Sequence, residues 1–488
     1  MNIYDKRNIS MMMDLYELTM ANGYFLSENE DTRVAFDVFY RKNPDGGGFS
    51  IFAGLEQIVE YLQGMHFEKE DIDYLRSLNQ FDERFLEYMS DFRFTGDVYA
   101  YPEGTIMYPG EPIVTVVAPL VQAQLVETEI LAQVNHQSLI ATKAQRIVRS
   151  AKGRAVSDFG ARRAHNNDAA IYGARAAFIG GVKGTATVSA GQYFDIPLGG
   201  TMAHSFIMFY QDELTAFRKF ASIYPNNCIL LVDTYDVLKQ GVPHAIQVFK
   251  EMREKGIGSS NYGIRIDSGD LGYLTQNARQ MLDEAGFTDA KIVISNSLDE
   301  YTIKSILDQG GQVDSFGVGE RLITSRSEPV FGAVFKLCAV EENGEFSPRI
   351  KISDSVEKIT NPGLKDVYRI YDKQGHAIAD LITGHGEEAN VDEPYRFVDP
   401  IEPWKVREFS GCTKKSLQQH IIHDGSLICE LPNVREIQSY VRSQLDNEIW
   451  PEEQRFENPH RHYVDMSPRY YEMKMDLLAK GGQNPSAL

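Results

Sequence analysis

His204 stands in a stretch whose residue types suit chemistry on a phosphate. The segment reads Pro197-Leu-Gly-Gly-Thr-Met-Ala-His204, so two glycines come shortly before the imidazole. Glycine lets a backbone approach a ligand closely, and histidine is the side chain best suited to proton or phosphoryl chemistry near neutral pH. A histidine that only satisfies its own hydrogen bonds beside a tight turn gives the same pattern, so the interpretation depends on the residues that accompany it.

Two carboxylates and a cation form the sharpest single signal in the sequence. Asp267 and Asp270 flank a Ser-Gly turn after an apolar run, and Arg265 precedes the first of them by two residues. Carboxylates placed in this way could hold ribose hydroxyls, stabilise a developing sugar cation or order Mg²⁺ on a phosphate, and the amides of the turn could bind an anion. The alternative is an aspartate that caps a helix and binds no ligand.

Two further segments favour an anionic ligand. Phe159 and Arg162 follow Asp158 just past a strand end, and a guanidinium group there suits phosphate or carboxylate. The alternative is that Arg162 and its neighbour Arg163 only form salt bridges on the protein surface. Gly317 and Gly319 belong to Phe-Gly-Val-Gly-Glu, which resembles a phosphate-cradling loop at a helix start, although such a short pattern is weak.

Asp233 and two pairs of histidines have side chains that suit polar roles. Asp233 ends an apolar run and could orient a neighbouring imidazole, as carboxylates commonly do. The pairs His420/His423 and His460/His462 have no carboxylate or thiol at a convincing metal-binding spacing, so they are expected to be surface histidines.

The overall composition excludes several classes of protein. A chain of 488 residues with 43% apolar and 24% charged residues is typical of a globular protein of two or three domains. A net charge of −20 argues against general nucleic-acid binding. No apolar run approaches a membrane span, no signal peptide is recognisable, and the four cysteines are far apart without a CxxC pair. We therefore expect a cytoplasmic protein with no membrane or nucleic-acid partner.

From about residue 153 the alternation of apolar and helical segments predicts a parallel sheet. Short apolar runs end in a polar or glycine residue, and a helical stretch follows each one. Candidate site residues stand at these strand ends, which is typical of a (β/α) barrel. A doubly wound open sheet is the structural alternative, but no GxGxxG motif opens a helix after a first strand.

The rest of the chain is expected to form other modules. Residues 10–27 read as an amphipathic helix closed by Asn22-Gly23, and the tail from about Ser416 reads as mainly helical. The predicted division has four parts: an N-terminal α/β region (1–94), a small β module (95–120 and 336–405), a helical lead-in with the barrel (121–335), and a C-terminal extension (406–488).

Taken together in this order, the motifs resemble the nicotinate phosphoribosyltransferase family of type II phosphoribosyltransferases. The resemblance runs from Asp14-Leu-Tyr-Glu-Leu-Thr-Met20 to Thr360-Asn-Pro-Gly363. It implies an α/β fold: an irregular (β/α) barrel with an N-terminal α/β region and a small β domain. It also implies a head-to-tail homodimer whose active sites take residues from both subunits.

The resemblance further implies the reaction. Nicotinate would be joined to phosphoribosyl diphosphate, giving nicotinate mononucleotide and diphosphate, with ATP hydrolysis coupled to the transfer. ATP would phosphorylate His204, with Asp233 holding the imidazole, and Mg²⁺ would lie on the diphosphate rather than in a site built from protein groups alone. Tyr16 from the neighbouring subunit and Phe159 would stack on the two faces of the pyridine ring. The other implied substrate-binding positions are Arg162, Thr201, Arg265, Asp267, Asp270, Ser295, Asn296, Gly317 and Gly319.

One position bears on the choice of substrate. The nicotinamide-using relatives of this family carry an aspartate where this chain has Ala186, and a carboxylate there would repel nicotinate. The acid is therefore the expected substrate, with nicotinamide as the nearest alternative. A barrel aldolase or glycosidase using Asp267 and Asp270 as an acid/base pair, and a non-catalytic phosphohistidine protein, are the more distant ones.

Overall fold

The computed structural model describes residues 8–258, 261–355 and 358–481 of the chain. The chain divides into two compact units. One, which we call the barrel unit, is Ile140–Pro329; the other, which we call the β unit, is Met1–Leu139 with Val330–Leu488. The helix Glu127–Ser150 contains the first boundary between them. Among the described residues, no helix has both the length and the apolar character that crossing a membrane would require.

The barrel unit is built on six strands that are all parallel. In spatial order they are Gly184–Thr185, Ala155–Asp158, Ser315–Val318, Lys291–Ser295, Tyr262–Ile266 and Cys228–Leu231. Helices follow the strands, as buried parallel strands require. The helices are Asn167–Ile179, Val188–Phe194, His204–Phe209, Glu213–Ile223, Val242–Glu254, Leu271–Glu284, Glu300–Asp308 and Glu320–Ile323, with short turns at Ala161–Arg163 and Val237–Gly241.

The strand order follows the ring of an irregular barrel, which confirms the predicted fold class. The last strand of the chain segment, Ser315–Val318, pairs with the first, Ala155–Asp158, as ring closure requires. The hydrogen-bonded ring is open between Gly184–Thr185 and Cys228–Leu231, and in that opening Thr185 makes a single parallel bridge with Leu198. The glycine stretch before His204 therefore begins as an incomplete strand at the edge of the opening.

Because all strands run in the same direction, their carboxyl ends meet at one edge. Asp158 ends the first strand, Asp233 and Asp267 follow two others, and Ser295 and Gly317 lie at the ends of the last two. The strands that carry these residues are largely buried, and Cys228–Leu231 is buried at all four positions.

The β unit carries two larger sheets and a two-stranded ribbon. The seven-stranded sheet has the order Glu345–Pro348, Val334–Glu342, Arg33–Phe39, Val114–Pro119, Asp97–Ala100, Gln419–His423 and Ser426–Leu427. The six-stranded sheet has the order Val406–Phe409, Tyr395–Val398, Val464–Met466, Ala377–Gly384, Lys365–Tyr371 and Thr413–Ser416, and the ribbon pairs Ser50–Ile51 with Ile106–Met107. The helices are Leu15–Leu26, Leu55–Gly64, Lys69–Ser77, Glu83–Ser90, Leu120–Gln124, Val434–Asn447 and Pro468–Ala479, with a short turn at Pro44–Gly46.

The described part of the tail beyond Ser416 contains two helices, Val434–Asn447 and Pro468–Ala479, as expected, and also short strands that the sequence did not predict. Gln419–His423 and Ser426–Leu427 extend the seven-stranded sheet, where Ile421 and Ile422 are buried, and Val464–Met466 joins the other sheet. Pairing with a distant strand decides the conformation of these short apolar runs, which local periodicity does not show. The predicted four-part division stays a prediction, although the contacts within the chain group its first, second and fourth parts into the β unit.

Candidate functional site

Arg265 connects the barrel edge to the stretch before His204. Its Nη1 donates to Thr201 Oγ1 at 2.5 Å and its Nη2 donates to the Met202 carbonyl at 2.9 Å. Burial lowers the pKa of the guanidinium, while the charges of Asp267 and Asp233 act in the opposite direction. The two-pronged contact fixes the backbone only two residues before His204, so the cation and the imidazole belong to one site.

His204 is half-buried at the start of helix His204–Phe209. Its Nδ1 lies 3.0 Å from the Thr234 hydroxyl, which follows the strand Cys228–Leu231. When Nδ1 carries the proton it donates to this hydroxyl, and Nε2 then keeps the lone pair that a phosphoryl acceptor needs. Sequence reasoning missed Thr234; its hydroxyl next to Asp233 at a strand end is the signal that could have identified it.

Asp233 is hydrogen-bonded to the Asp267 turn. Its Oδ2 accepts from the Asp267 amide at 3.1 Å and from the Ser268 hydroxyl at 2.6 Å, while its Oδ1 is buried and finds no hydrogen-bond partner in the described part of the chain. The contact with the His204 ring that the resemblance assigned to Asp233 is made here by its neighbour Thr234. Asp233 thus positions the second carboxylate of the site and keeps one free acceptor.

Asp267 also contacts the next strand. Its Oδ1 accepts a hydrogen bond from the Ser295 hydroxyl at the end of Lys291–Ser295. Asn296 and Ser297, which follow, both have positive φ, at 82° and 51°. Consecutive left-handed residues other than glycine are unfavourable and occur mainly where a site demands them. Three neighbouring strand ends are therefore joined at Asp267, whose backbone amide bonds to Asp233 and whose carboxylate bonds to Ser295.

Asp270 has the structural role that the sequence left open as an alternative. It caps the helix Leu271–Glu284, with its Oδ1 accepting from the Tyr273 amide at 3.1 Å. This bond satisfies one of the free amides at the helix start. The second carboxylate of the Asp-Ser-Gly-Asp turn is thereby held away from the Asp233–Asp267 contact by its own helix.

Phe159 packs on the glycine loop that the sequence associated with phosphate. Its amide donates to the Val318 carbonyl at 2.7 Å, and a Cβ added to Gly317 would lie 2.4 Å from Phe159 Cδ2. A Cβ on Gly319 would lie 3.3 Å from the Phe159 carbonyl oxygen. The absence of a side chain at 317 is therefore what allows the aromatic ring to lie across the strand end.

Asp158 and its neighbours hold the first two strands together. Its Oδ2 accepts from the Thr185 hydroxyl at 2.7 Å and its Oδ1 from the Gly160 amide at 2.8 Å. Burial raises the pKa of this carboxyl, and the two hydrogen bonds oppose that rise. Arg162 is exposed on the turn Ala161–Arg163, and Ala186 is exposed just beyond Thr185.

Tyr16 lies in the β unit on helix Leu15–Leu26, and 43% of it is exposed. Burial and the nearby Glu127 carboxylate raise the pKa of its phenol. The adjacent Glu17 is buried, and that burial raises the pKa of its carboxyl to about 7 even though Thr128 donates a hydrogen bond to it. On this helix the Glu17 carboxyl is therefore buried, whereas the Tyr16 ring is partly exposed to solvent.

The prediction that His460 and His462 are both surface histidines is wrong for His462. It is 4% exposed, its Nδ1 lies 3.1 Å from Glu453 Oε1, and its ring stacks on Tyr108 with centroids 3.8 Å apart. Its carboxylate neighbours are Glu453, on the loop before it, and Asp380, on the strand Ala377–Gly384, so its burial depends on tertiary contacts that the sequence pattern does not show. His420 and His423 likewise have a carboxylate beside them, that of Asp97.

Comparisons with known proteins agree with this geometry. Three family models match: the nicotinate phosphoribosyltransferase N-terminal domain over residues 11–135, the nicotinate phosphoribosyltransferase family over 154–375, and the nicotinate phosphoribosyltransferase C-terminal domain over 364–474. The nicotinate phosphoribosyltransferase of Bacillus subtilis (strain 168) is 42% identical over 472 residues, covering 96% of this chain and 95% of the relative. The crystal structure of human nicotinic acid phosphoribosyltransferase superimposes with a TM-score of 0.83 at 26% identity, covering 96% of this chain and all of that one. Nicotinate-nucleotide pyrophosphorylase from Pyrococcus furiosus gives a TM-score of 0.68 at 25% identity, covering 92% and 99%.

Proposed function

The chain belongs to the nicotinate phosphoribosyltransferase family, and from this premise we propose that it joins nicotinate to 5-phosphoribosyl 1-diphosphate in NAD salvage, with ATP hydrolysis coupled to the transfer. The observation that supports the proposal is the connection between His204 and the Asp267 turn. Arg265 holds the backbone before His204, Thr234 holds its ring, and Asp233, the residue before Thr234, holds Asp267.

The transfer step follows from the groups at the strand ends. The bond between the anomeric carbon and the diphosphate oxygen breaks, the ring nitrogen of nicotinate forms the new C–N bond, and diphosphate leaves with the electron pair. Positive charge develops on the ribosyl ring, and we assign its stabilisation to the Asp267 carboxylate. Phe159 offers an aromatic face for the pyridine ring, and the exposed Arg162 offers donors to a carboxylate or phosphate.

The side chains of Asp233 and Asp267 fit a magnesium ion bound together with the diphosphate. Carboxylate oxygens are the ligands that Mg²⁺ prefers, and no described residue forms a hydrogen bond with the buried Asp233 Oδ1, so this oxygen remains available as an acceptor. A bound Mg²⁺ would neutralise negative charge on the leaving diphosphate.

ATP coupling is assigned to His204. Nε2 attacks the γ-phosphorus of ATP, the new N–P bond forms, and the bond to the ADP oxygen breaks; water later cleaves the phosphohistidine to release phosphate. The phosphoryl group adds about 1.5 to 2 negative charges next to the Arg265-held loop. That added charge can favour a tight-binding arrangement of the pocket, which hydrolysis then reverses.

We also propose a cytoplasmic homodimer in which Tyr16 completes the active site of the neighbouring subunit. The exposed ring on helix Leu15–Leu26 supports the second part of this proposal, and the four free thiols of the chain suit a reducing compartment. Nicotinate rather than nicotinamide is the substrate, because Ala186 places no carboxylate at the strand end next to Thr185.

The proposal is tested with the purified chain, nicotinate or nicotinamide, phosphoribosyl diphosphate and Mg²⁺, with and without ATP. We expect mononucleotide formation from nicotinate, stimulation by ATP, and an acid-labile phosphate on His204 detected by mass spectrometry. His204→Ala should retain slow transfer and lose the stimulation, whereas His385→Ala, an exposed histidine paired with Asp366, should keep it. Full ATP stimulation in His204→Ala would refute the role assigned to this residue.

A further inference from the structure

A β-bulge places two histidines on the same face of the seven-stranded sheet. Gln419–His423 pairs antiparallel with Asp97–Ala100: His420 lies opposite Tyr99 and Ile422 opposite Val98, which leaves Ile421 as an extra residue. Residues three apart on a regular strand point to opposite faces. The extra residue resets this alternation, so His420 and His423 both face the side on which Asp97 lies.

The three side chains converge on a small volume. Asp97 Oδ1 lies 2.8 Å from His423 Nδ1 and 3.4 Å from His420 Nε2, and all three ligand atoms lie within 4.8 Å of one another. Tetrahedral zinc with Zn–N and Zn–O bonds near 2.0–2.1 Å holds its ligand atoms about 3.3 Å apart. The spacing is therefore within a small side-chain adjustment of coordination geometry.

The contacts around these ligands resemble those that orient metal ligands. Arg33 Nη2 donates to the other carboxylate oxygen of Asp97 at 2.7 Å, and His423 Nε2 lies 3.6 Å from Asp424 Oδ2. The His420 ring stacks on Tyr99 with centroids 4.4 Å apart. Such partners fix the orientation of a ligating imidazole or carboxylate.

Hydrogen bonds within the cluster of Asp97, His420 and His423 do not satisfy all of its ring nitrogens. His423 Nδ1 forms a hydrogen bond with Asp97 Oδ1, but the buried His420 Nε2 has no hydrogen-bond partner among the described residues. A divalent ion between the three atoms would satisfy both imidazoles and the carboxylate together, since this ligand set suits zinc and its neighbours in the transition series.

We propose that Asp97, His420 and His423 bind a divalent transition-metal ion, represented by Zn²⁺, with water completing the coordination. The ion would join strand Gln419–His423 to strand Asp97–Ala100 and stabilise that side of the β unit. The proposal is independent of the reaction assigned to the barrel unit.

The test measures metal binding to the full chain. Calorimetry with Zn²⁺ and the visible spectrum with Co²⁺ should show one site with the intense absorption of tetrahedral cobalt. His420→Gln combined with His423→Gln should weaken binding by about 100-fold or more, because losing two ligands should exceed the 10- to 100-fold effect of losing outer contacts. His385→Gln is the matched control, since His385 Nδ1 also pairs with an aspartate, Asp366, at 2.9 Å.

Thermal unfolding should be measured with and without Zn²⁺ on each variant. Wild type and His385→Gln should be stabilised by the ion, whereas a folded double variant should not be. Zinc affinity equal in wild type and in the folded double variant would overturn the proposal, as would a wild-type chain that binds no zinc. Because each single variant keeps one imidazole, His420→Gln and His423→Gln alone provide the test if the double variant does not fold.

Discussion

The Thr234 hydroxyl lies 3.0 Å from Nδ1 of the His204 ring and forms a hydrogen bond with it. A hydroxyl can donate or accept, so it can stay bonded to Nδ1 throughout the phosphorylation cycle that we propose. Replacing Thr234 by Val keeps the shape and removes the hydrogen bond, and we expect ATP stimulation to fall about fivefold, the equivalent of a hydrogen bond worth about 1 kcal/mol. Thr234→Ser should retain most of it. Steady-state rates with and without ATP measure the effect, and wild-type stimulation in Thr234→Val would contradict it.

Residue types at strand ends predicted part of this site from sequence, and the reason is geometric. Arg265, Asp267 and Ser295 lie on or just after parallel strands, so their proximity follows once the strands are recognised. The position of Thr234 next to Asp233 at a strand end marks it as a candidate, but the partners of Thr234 and Ser268 do not follow from sequence, because a hydroxyl acquires a role only through the atom that faces it. The hydrogen bond from Arg265 to the Met202 carbonyl could not be predicted either, because every residue has a backbone carbonyl and the sequence does not show which one faces the guanidinium.

At the scale of secondary-structure elements, the Phe159–Gly317 contact joins the ends of two neighbouring strands. Gly317→Ala would place a Cβ 2.4 Å from the Phe159 ring. We expect a loss of about 1–3 kcal/mol in unfolding free energy, together with a higher KM for nicotinate because the ring must move. Gly64→Ala, whose added Cβ meets nothing within 4 Å, is the control and should be neutral. Urea unfolding and nicotinate saturation curves measure both effects; identical values for the two variants would rule out the packing role of Gly317.

Element boundaries show where local signals fail. Asn22-Gly23 was expected to close the first helix, yet Leu15–Leu26 continues through both residues. The helix packs Leu18 and Ala21 into the core, and this tertiary contact outweighs the cost of one glycine, about 1 kcal/mol. Likewise, Ile421 and Ile422 became strand through pairing with Asp97–Ala100, a partner more than 300 residues away. The repeated strand–helix units of the barrel were predictable because each is defined by neighbours in the sequence.

At the scale of the whole molecule, Lys474 makes the stability of the β unit depend on pH. It is 9% exposed, its Nζ donates to Asn361 Oδ1 at 2.7 Å, and burial lowers its pKa to about 8 from 10.5. Between pH 8 and 10.5 the unfolded chain therefore binds more protons than the folded one, so this residue's contribution to stability rises with pH.

We expect wild type to gain about 1–2 kcal/mol in unfolding free energy between pH 7.5 and 9.5 relative to Lys474→Met. Lys480→Met, which removes an exposed lysine just after the same helix, is the control and should follow wild type. Urea unfolding at the two pH values gives the difference. Parallel pH profiles for wild type and Lys474→Met would show that the lysine titrates normally in the folded chain.

At the scale of the whole molecule, co-expression of two inactive variants can test whether the active sites are shared between subunits. If Tyr16 serves the neighbouring subunit, a dimer of one Tyr16→Ala chain and one Arg265→Ala chain has one site with both changes and one with neither. Random pairing of co-expressed chains makes half of the dimers mixed, so about one quarter of wild-type activity should return, although each variant alone is nearly inactive. Arg265→Ala paired with Asp267→Ala is the control, because both residues come from the same chain at each site and no mixed dimer contains an intact one. Activity of the Tyr16/Arg265 mixture no higher than that of this control would show that each site is built from a single chain.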